Sequence, residues 1–161
     1  MCIVIDINVI PLVFTTESNK YSPIKEWITI GKGKLVYGGT KYNSELKGMT
    51  KHLIFLNRLK KAGRIPEMDN NEVDNQENRL KKLISKNDFN DQHIIAIIIV
   101  SGCKLVCTED KESHKYIKKR DLYPKNFDLP NIYSSKINLS DKKYYADICK
   151  PASKIKIPLM G

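Results

Sequence analysis

Long apolar runs are absent from this chain. The longest, Ile94 to Val100, falls far short of the ~20 residues that a bilayer-spanning helix needs, and no membrane span is expected. Cysteine is scarce, with only Cys2, Cys103, Cys107 and Cys149. Cys103 and Cys107 flank Lys104-Leu105-Val106, and no second Cys or His pair stands at zinc-site spacing, so a zinc site is not expected. Both read instead as small, buried, reduced thiols of a cytosolic protein. The opening Met1-Cys2-Ile3-Val4-Ile5-Asp6 lacks a basic stretch, and an acid interrupts its apolar run at once. A secretory signal is therefore not expected, and the cytoplasm is the expected compartment. Hairpin signals, internal repeats and interdomain linkers are missing too, which argues against an antiparallel or multidomain architecture.

What is present suits one globular domain. A chain of 161 residues is long enough to bury a core, and 41% hydrophobic with 29% charged residues is the balance of such a domain. The net charge of +10 favours nucleic acid or another polyanion as partner, although a lysine-rich face is often only a solvated one.

Short apolar segments alternate with helical ones. Cys2 to Ile5 reads as a buried strand ending at Asp6, and Lys34 to Tyr37 as a second strand broken by Gly38-Gly39. Thr40 to Ala62 reads as the longest helix, because Leu46, Met49, Leu53, Leu56 and Leu59 draw one stripe and Gly63 fits the cap. Arg64-Ile65-Pro66 is an edge-strand or loop candidate. A further helix leads to about Lys86, and Asp91 to Ser101 is a strongly apolar helix capped by Gly102. Lys104 to Cys107 is then the fourth strand, followed by Thr108-Glu109-Asp110 and a basic helix from Lys111 to about Arg120. Ile132-Tyr133 is a last short strand. This alternation predicts an α/β fold, a three-layer α/β/α sandwich with a mainly parallel central sheet. The domain is expected over residues 1–135, with a Lys-rich C-terminal extension at 136–161 packed on or appended to it.

In open α/β sheets the ligand crevice lies outside the carboxyl ends of the strands. Asp6 and Asp110 stand at two such ends. Asp91 opens a helix near the same edge, and Glu45 lies in the first turns of another. Taken singly, Glu45 and Asp91 read equally well as helix caps or dipole partners. Together, four carboxylates at one edge repel each other unless a cation sits among them, and oxygen-only ligands select Mg²⁺ or Mn²⁺. Such a site hydrolyses a phosphodiester with a metal-activated water.

These residues carry a family resemblance. Cys2-Ile3-Val4-Ile5-Asp6-Ile7-Asn8 resembles the first strand and first acid of PIN domains. Gly38-Gly39-Thr40-Lys41-Tyr42-Asn43-Ser44-Glu45-Leu46 is similar to the segment bearing their second acid, and Asn90-Asp91-Gln92-His93-Ile94-Ile95-Ala96 to the stretch bearing the third. Cys107-Thr108-Glu109-Asp110-Lys111 is similar to their "T-x-D" motif. The resemblance runs from about residue 1 to about 135 and rests on the order of short motifs. It implies that Asp6, Glu45, Asp91 and Asp110 are the catalytic metal ligands, direct or through water. Asn8 and Thr108 would orient them, Thr108 alternatively capping the next helix. Where many toxins of the family carry an acid and an aromatic after the fourth motif, this chain has Ser113 and His114, and Glu109 or Glu112 is the candidate substitute ligand. Single-domain members resemble VapC-type toxin ribonucleases. That implies RNA as substrate, a small antitoxin or inhibitor protein as partner, and a homodimer.

Other residues are read beside this site. His93 is a candidate RNA contact, though helix packing or a supporting hydrogen bond is the favoured reading. His52 and His114 have no partner legible in the sequence. Lys111, Lys115 and Lys118, with Lys119 and Arg120, offer cations to an RNA backbone, against a merely solvated helix face. Tyr116 and Tyr123 are first packing residues and only then base-stacking ones. The alternatives to a ribonuclease are a non-catalytic RNA-binding or scaffold module of the same fold and a structure-specific DNA nuclease. A response-regulator-like domain is disfavoured, since neither the Asp ending a third strand nor the Lys after a fifth is convincing.

Overall fold

The computed structural model describes residues 2–14, 20–85 and 87–135. Its centre is a four-stranded, all-parallel sheet in the order β2-β1-β3-β4. The strands are β1 (Cys2–Ile5), β2 (Lys34–Leu35), β3 (Leu105–Cys107) and β4 (Asn131–Tyr133). Every residue of β1 and β3 is buried, as the continuous apolar runs of interior parallel strands require. Val4 pairs with Val106 and Ile5 with Cys107. The ladder runs one step further at the carboxyl edge, where Asp6 N–H donates to the Cys107 carbonyl at 2.9 Å and Thr108 N–H to that of Tyr133 at 3.2 Å. Asp6 and Thr108 thus leave the sheet side by side.

The helices are α1 (Ile10–Phe14), α2 (Ser22–Thr29), α3 (Thr40–Lys47), α4 (Leu53–Lys61), α5 (Asn70–Leu83), α6 (Gln92–Ser101) and α7 (Lys111–Ile117). Helix α6 is apolar nearly all round, so it is buried, packing on β1 and against α5. Gly102, in the left-handed conformation at φ 71°, ends it. Asp69 caps α5 by accepting from the Glu72 N–H at 3.0 Å.

The structure departs from the sequence reading at three places. The helix expected over Thr40 to Ala62 is two helices, α3 and α4, parted by 48–52. Gly48 ends α3, where an interior glycine costs a helix about 1 kcal/mol. The segment around Arg64-Ile65-Pro66 takes the loop alternative and not the edge strand that the strand count assumed; it meets β2 through the Leu35 N–H bond to the Arg64 carbonyl, and Tyr37 and Glu67 make an isolated bridge. The strand before Thr108 is therefore the third and not the fourth. Finally, Cys2 and Cys103 are not free thiols. They are joined in a disulfide, because the pairing of β1 with β3 brings their Cα atoms to 5.7 Å, within bridging range. Cys107 is free and buried, as expected. The expected extension at 136–161 lies outside the described residues, and so does Cys149. Among the described residues no helix is long and apolar enough to cross a membrane.

Candidate active site at the carboxyl edge of the sheet

The strand order dictates where a crevice opens. From β1 the chain moves to β2 on one side, then crosses to β3 on the other, so the topology switches between β1 and β3. Loops leaving adjacent strands in opposite directions part there and expose the strand ends. Asp6 follows β1 at this point, and Thr108 to Asp110 follow β3.

Asp6 is half-buried and held from two sides. The Thr108 hydroxyl donates to one carboxylate oxygen at 3.2 Å, and the Asn8 backbone N–H to the other at 3.3 Å. The exposed Asn8 thus reaches Asp6 through its main chain. Thr108 also accepts from the Asp110 N–H at 3.2 Å, so one hydroxyl orients Asp6 and shapes the turn into α7. Burial pushes the Asp6 carboxyl above its ordinary range and the nearby Asp91 charge pushes it further; the Asn8 and Thr108 bonds and His93 oppose this.

Asp91 occupies the N-cap position of α6, yet its side chain makes no capping bond. It meets Ser113 instead. The Ser113 oxygen lies 3.1 Å from Asp91 Oδ2 and 2.9 Å from Asp110 Oδ2. A hydroxyl has one proton to give, so it satisfies one of these two carboxylates at a time. Asp110 also caps α7, accepting from the Glu112 N–H at 3.0 Å.

Glu45 arrives from α3. Gly39 starts this helix at φ 85°, and a Cβ there would stand 2.6 Å from Val73, so the turn admits only glycine. From α5, Asn70 accepts from the Gly39 N–H at 2.8 Å and Asp74 from the Thr40 N–H at 2.9 Å, fixing the helix start. The buried Tyr42 hydroxyl donates to the Ile5 carbonyl at 2.6 Å and locks α3 to the end of β1. Glu45 lies beyond the first turn and does not serve as a cap. It pairs with His93 Nε2 at 3.4 Å, and this bond holds its carboxyl below the usual range despite partial burial. His93 is only 3% exposed, so its ring supports Glu45 rather than facing solvent, where RNA would approach; its Nδ1 has no partner among the described residues.

The structure thus links Asp6 to Asp91 by charge, Asp91 to Asp110 through Ser113, and Glu45 to the group through His93. As placed, no three His, Cys, Asp or Glu side chains among the described residues are gathered closely enough to hold a metal ion. Neither candidate substitute joins them. Glu109 turns away to accept from the Tyr21 hydroxyl and from both N–H and hydroxyl of Ser135, while exposed Glu112 pairs with Lys115 at 3.1 Å.

The basic helix divides by the same criterion. Lys111 and Lys119 are exposed and form no ion pair among the described residues. Lys115 is tied to Glu112, and Lys118 donates to the Pro130 carbonyl, which removes it from easy reach of a phosphate. His114 Nε2 lies 3.2 Å from the Thr108 carbonyl, and since a carbonyl only accepts, that nitrogen carries the proton. His52 precedes α4 rather than lying inside a helix. Tyr116 stacks on Phe89 with centroids 4.6 Å apart, and buried Tyr123 donates to the Ile117 carbonyl at 2.7 Å; both are packing residues.

Sequence reasoning passed over Ser113, treating it as a departure where an acid was expected. Its signal was its place three residues after Asp110, one turn along the same helix face. Compared with known protein families, curated proteins and solved structures, the chain matches none.

Proposed function

We propose that this protein is a metal-dependent endoribonuclease of PIN type, with a three-layer α/β/α arrangement, hydrolysing RNA phosphodiester bonds at the β1/β3 switch point. The observation that carries the proposal is that Asp6, Asp91 and Asp110 stand at one sheet edge, where the Asp91 charge acts on Asp6 and a single Ser113 hydroxyl is shared by Asp91 and Asp110. Repulsion of this kind, felt at Asp6 from Asp91, is relieved by a divalent cation. The donor set fits a hard one, since all its atoms are oxygens. Asp6 and Asp91 would hold it, with Asp110 and Glu45 at the margin. When bound, Mg²⁺ or Mn²⁺ supplies charge neutralisation at a phosphate and acidifies a water.

The chain's own groups do the rest. Thr108 and the Asn8 N–H fix the Asp6 carboxylate in one orientation. Buried His93 aims Glu45, and Ser113 turns its one hydroxyl donor to either Asp91 or Asp110. Lys111, next to Asp110 and exposed, would meet the RNA backbone. A toxin paired with a small antitoxin and acting as a homodimer is the biological setting this reading implies; the cytoplasm expected from the sequence sits poorly with the Cys2–Cys103 disulfide, since reducing compartments disfavour such bonds.

The test is cleavage of pooled, labelled RNA and single-stranded DNA by the purified full chain with Mg²⁺, Mn²⁺ or EDTA, beside Asp6→Asn. Cutting of RNA that needs the metal and vanishes in the variant is the expected result. Cutting of DNA alone transfers the site to a DNA nuclease. Folded protein that binds RNA but leaves it intact under every condition supports the non-catalytic module instead.

A further inference from the structure

A cavity of about 190 Å³ opens between α3, α4 and β2. Tyr42, Asn43, Leu46 and Lys47 of α3 contribute to it, while Glu45 does not, so the helix turns one side to the carboxylates and another to this cavity. The two sites are thus about one helix breadth apart, on the order of 10 Å.

The cavity has two chemistries. Leu46, Leu56 and Ile65 give it apolar walls. An aliphatic cavity of about 150 Å³ is enough for a benzene ring, so a single flat ring system suits this one. Lys47 and Lys60 bring cations to it. Lys60 is partly occupied: it donates to the Tyr37 hydroxyl at 2.6 Å and lies 3.7 Å from Glu67, which leaves one of its three N–H donors. Lys47 is exposed and forms no ion pair among the described residues. An apolar slot beside an unneutralised cation, on a protein of charge +10, selects a ligand with a flat ring and an attached anion.

We infer that this cavity is a nucleotide subsite, in which a nucleobase enters between Leu46, Leu56 and Ile65 and its phosphate pairs with Lys47. A free mononucleotide and one residue of an RNA strand share this chemistry. The subsite stands apart from the carboxylate edge and does not depend on cleavage.

The experiment is a titration of the full chain, methyl-labelled at Ile and Leu and followed by NMR. The probes are nucleoside 5′-monophosphates, the matching nucleosides, inorganic phosphate, a short RNA and an amphipathic helical peptide. The methyls of Leu46, Leu56 and Ile65 shift with the monophosphate, and nucleoside and phosphate each bind at least about ten-fold more weakly, the worth of one charge-assisted contact. Lys47→Glu weakens the monophosphate by about ten-fold or more, and Leu46→Trp, which fills the slot, abolishes its binding. Because Lys47 is exposed, its variant tests the inference even if Leu46→Trp fails to fold. Tighter binding of the RNA than of the monophosphate identifies a strand as the source, and the reverse identifies a free nucleotide; both support the subsite. It is overturned by three outcomes: these methyls ignore nucleotides, folded Lys47→Glu binds as well as wild type, or the peptide alone moves them, which makes the cavity a protein-docking site.

Discussion

Asp6 and Glu109 follow two neighbouring strands, yet they live in opposite surroundings. Burial works against both carboxylates. Around Glu109 the Tyr21 hydroxyl and the Ser135 N–H and hydroxyl outweigh it, and its pKa falls below 4.5. Around Asp6 the Asn8 N–H, the Thr108 hydroxyl and His93 do not outweigh burial together with the Asp91 charge, and its pKa rises above 3.8. The difference separates two uses of an acid. Glu109 is enclosed by donors and ties the start of α2 to the chain beyond β4, as a structural group does. Asp6 has fewer donors and another acid beside it, the surroundings that the proposed cation site calls for.

The comparison can be broken most directly at Asp6. Asp6→Asn should reduce metal-dependent cleavage by more than about 100-fold, beyond what loss of a supporting residue costs. In EDTA at neutral pH the same variant should melt at or above the wild-type temperature, because it removes a charge that the fold disfavours. A marked fall in Tm would show that the Asp6 charge is structural and erase the contrast. The sign follows from linkage. A carboxyl raised in the folded state contributes stability below its unfolded value near 3.8, and loses it as pH rises through the folded value. Glu109 has the opposite slope, contributing above about 4.5 and losing that contribution on acidification. Urea unfolding between pH 3 and 7 should therefore show Asp6→Asn removing the loss of stability that sets in as pH rises above 3.8, and Glu109→Gln removing the loss that sets in as pH falls below 4.5.

Ser113→Ala should lower cleavage by about 10-fold and shift the Mg²⁺ dependence, with Tm little changed. An unchanged metal dependence would return Ser113 to a packing role. The smallest effect belongs to Glu109→Gln, a loss of about 1–2 kcal/mol in urea unfolding with activity per folded molecule within about two-fold. If activity fell as far as in Asp6→Asn, Glu109 would belong to the site after all.

Much of the frame could be read from the sequence because local rules agreed. The apolar runs at Cys2–Ile5 and Leu105–Cys107, the cap at Gly102 and the acids at strand ends are signals carried by neighbouring residues. What failed depended on contacts distant in sequence, or on rules that conflicted. The stripe from Leu46 to Leu59 keeps its spacing across Gly48, so periodicity joined what glycine parts. Glu109 and Asp110 are adjacent acids, and only Tyr21 and Ser135, from other parts of the chain, decide which one faces the crevice. The partner of Cys2 was hidden until the strand order was known. Ser113 acquires meaning only when α6 brings Asp91 within reach of its hydroxyl.

That disulfide has a mechanical side. Cys2 begins β1 and Cys103 just precedes β3, so the bond pins the two strands at their amino ends, whereas the acids leave from their carboxyl ends. A slip of one residue between β1 and β3 would turn Asp6 to the wrong face of the sheet, and the covalent pin opposes such a slip. Any opening of the crevice to admit a bulky strand must then come from the loops and from α3 and α7, with the two strands acting as a fixed jaw.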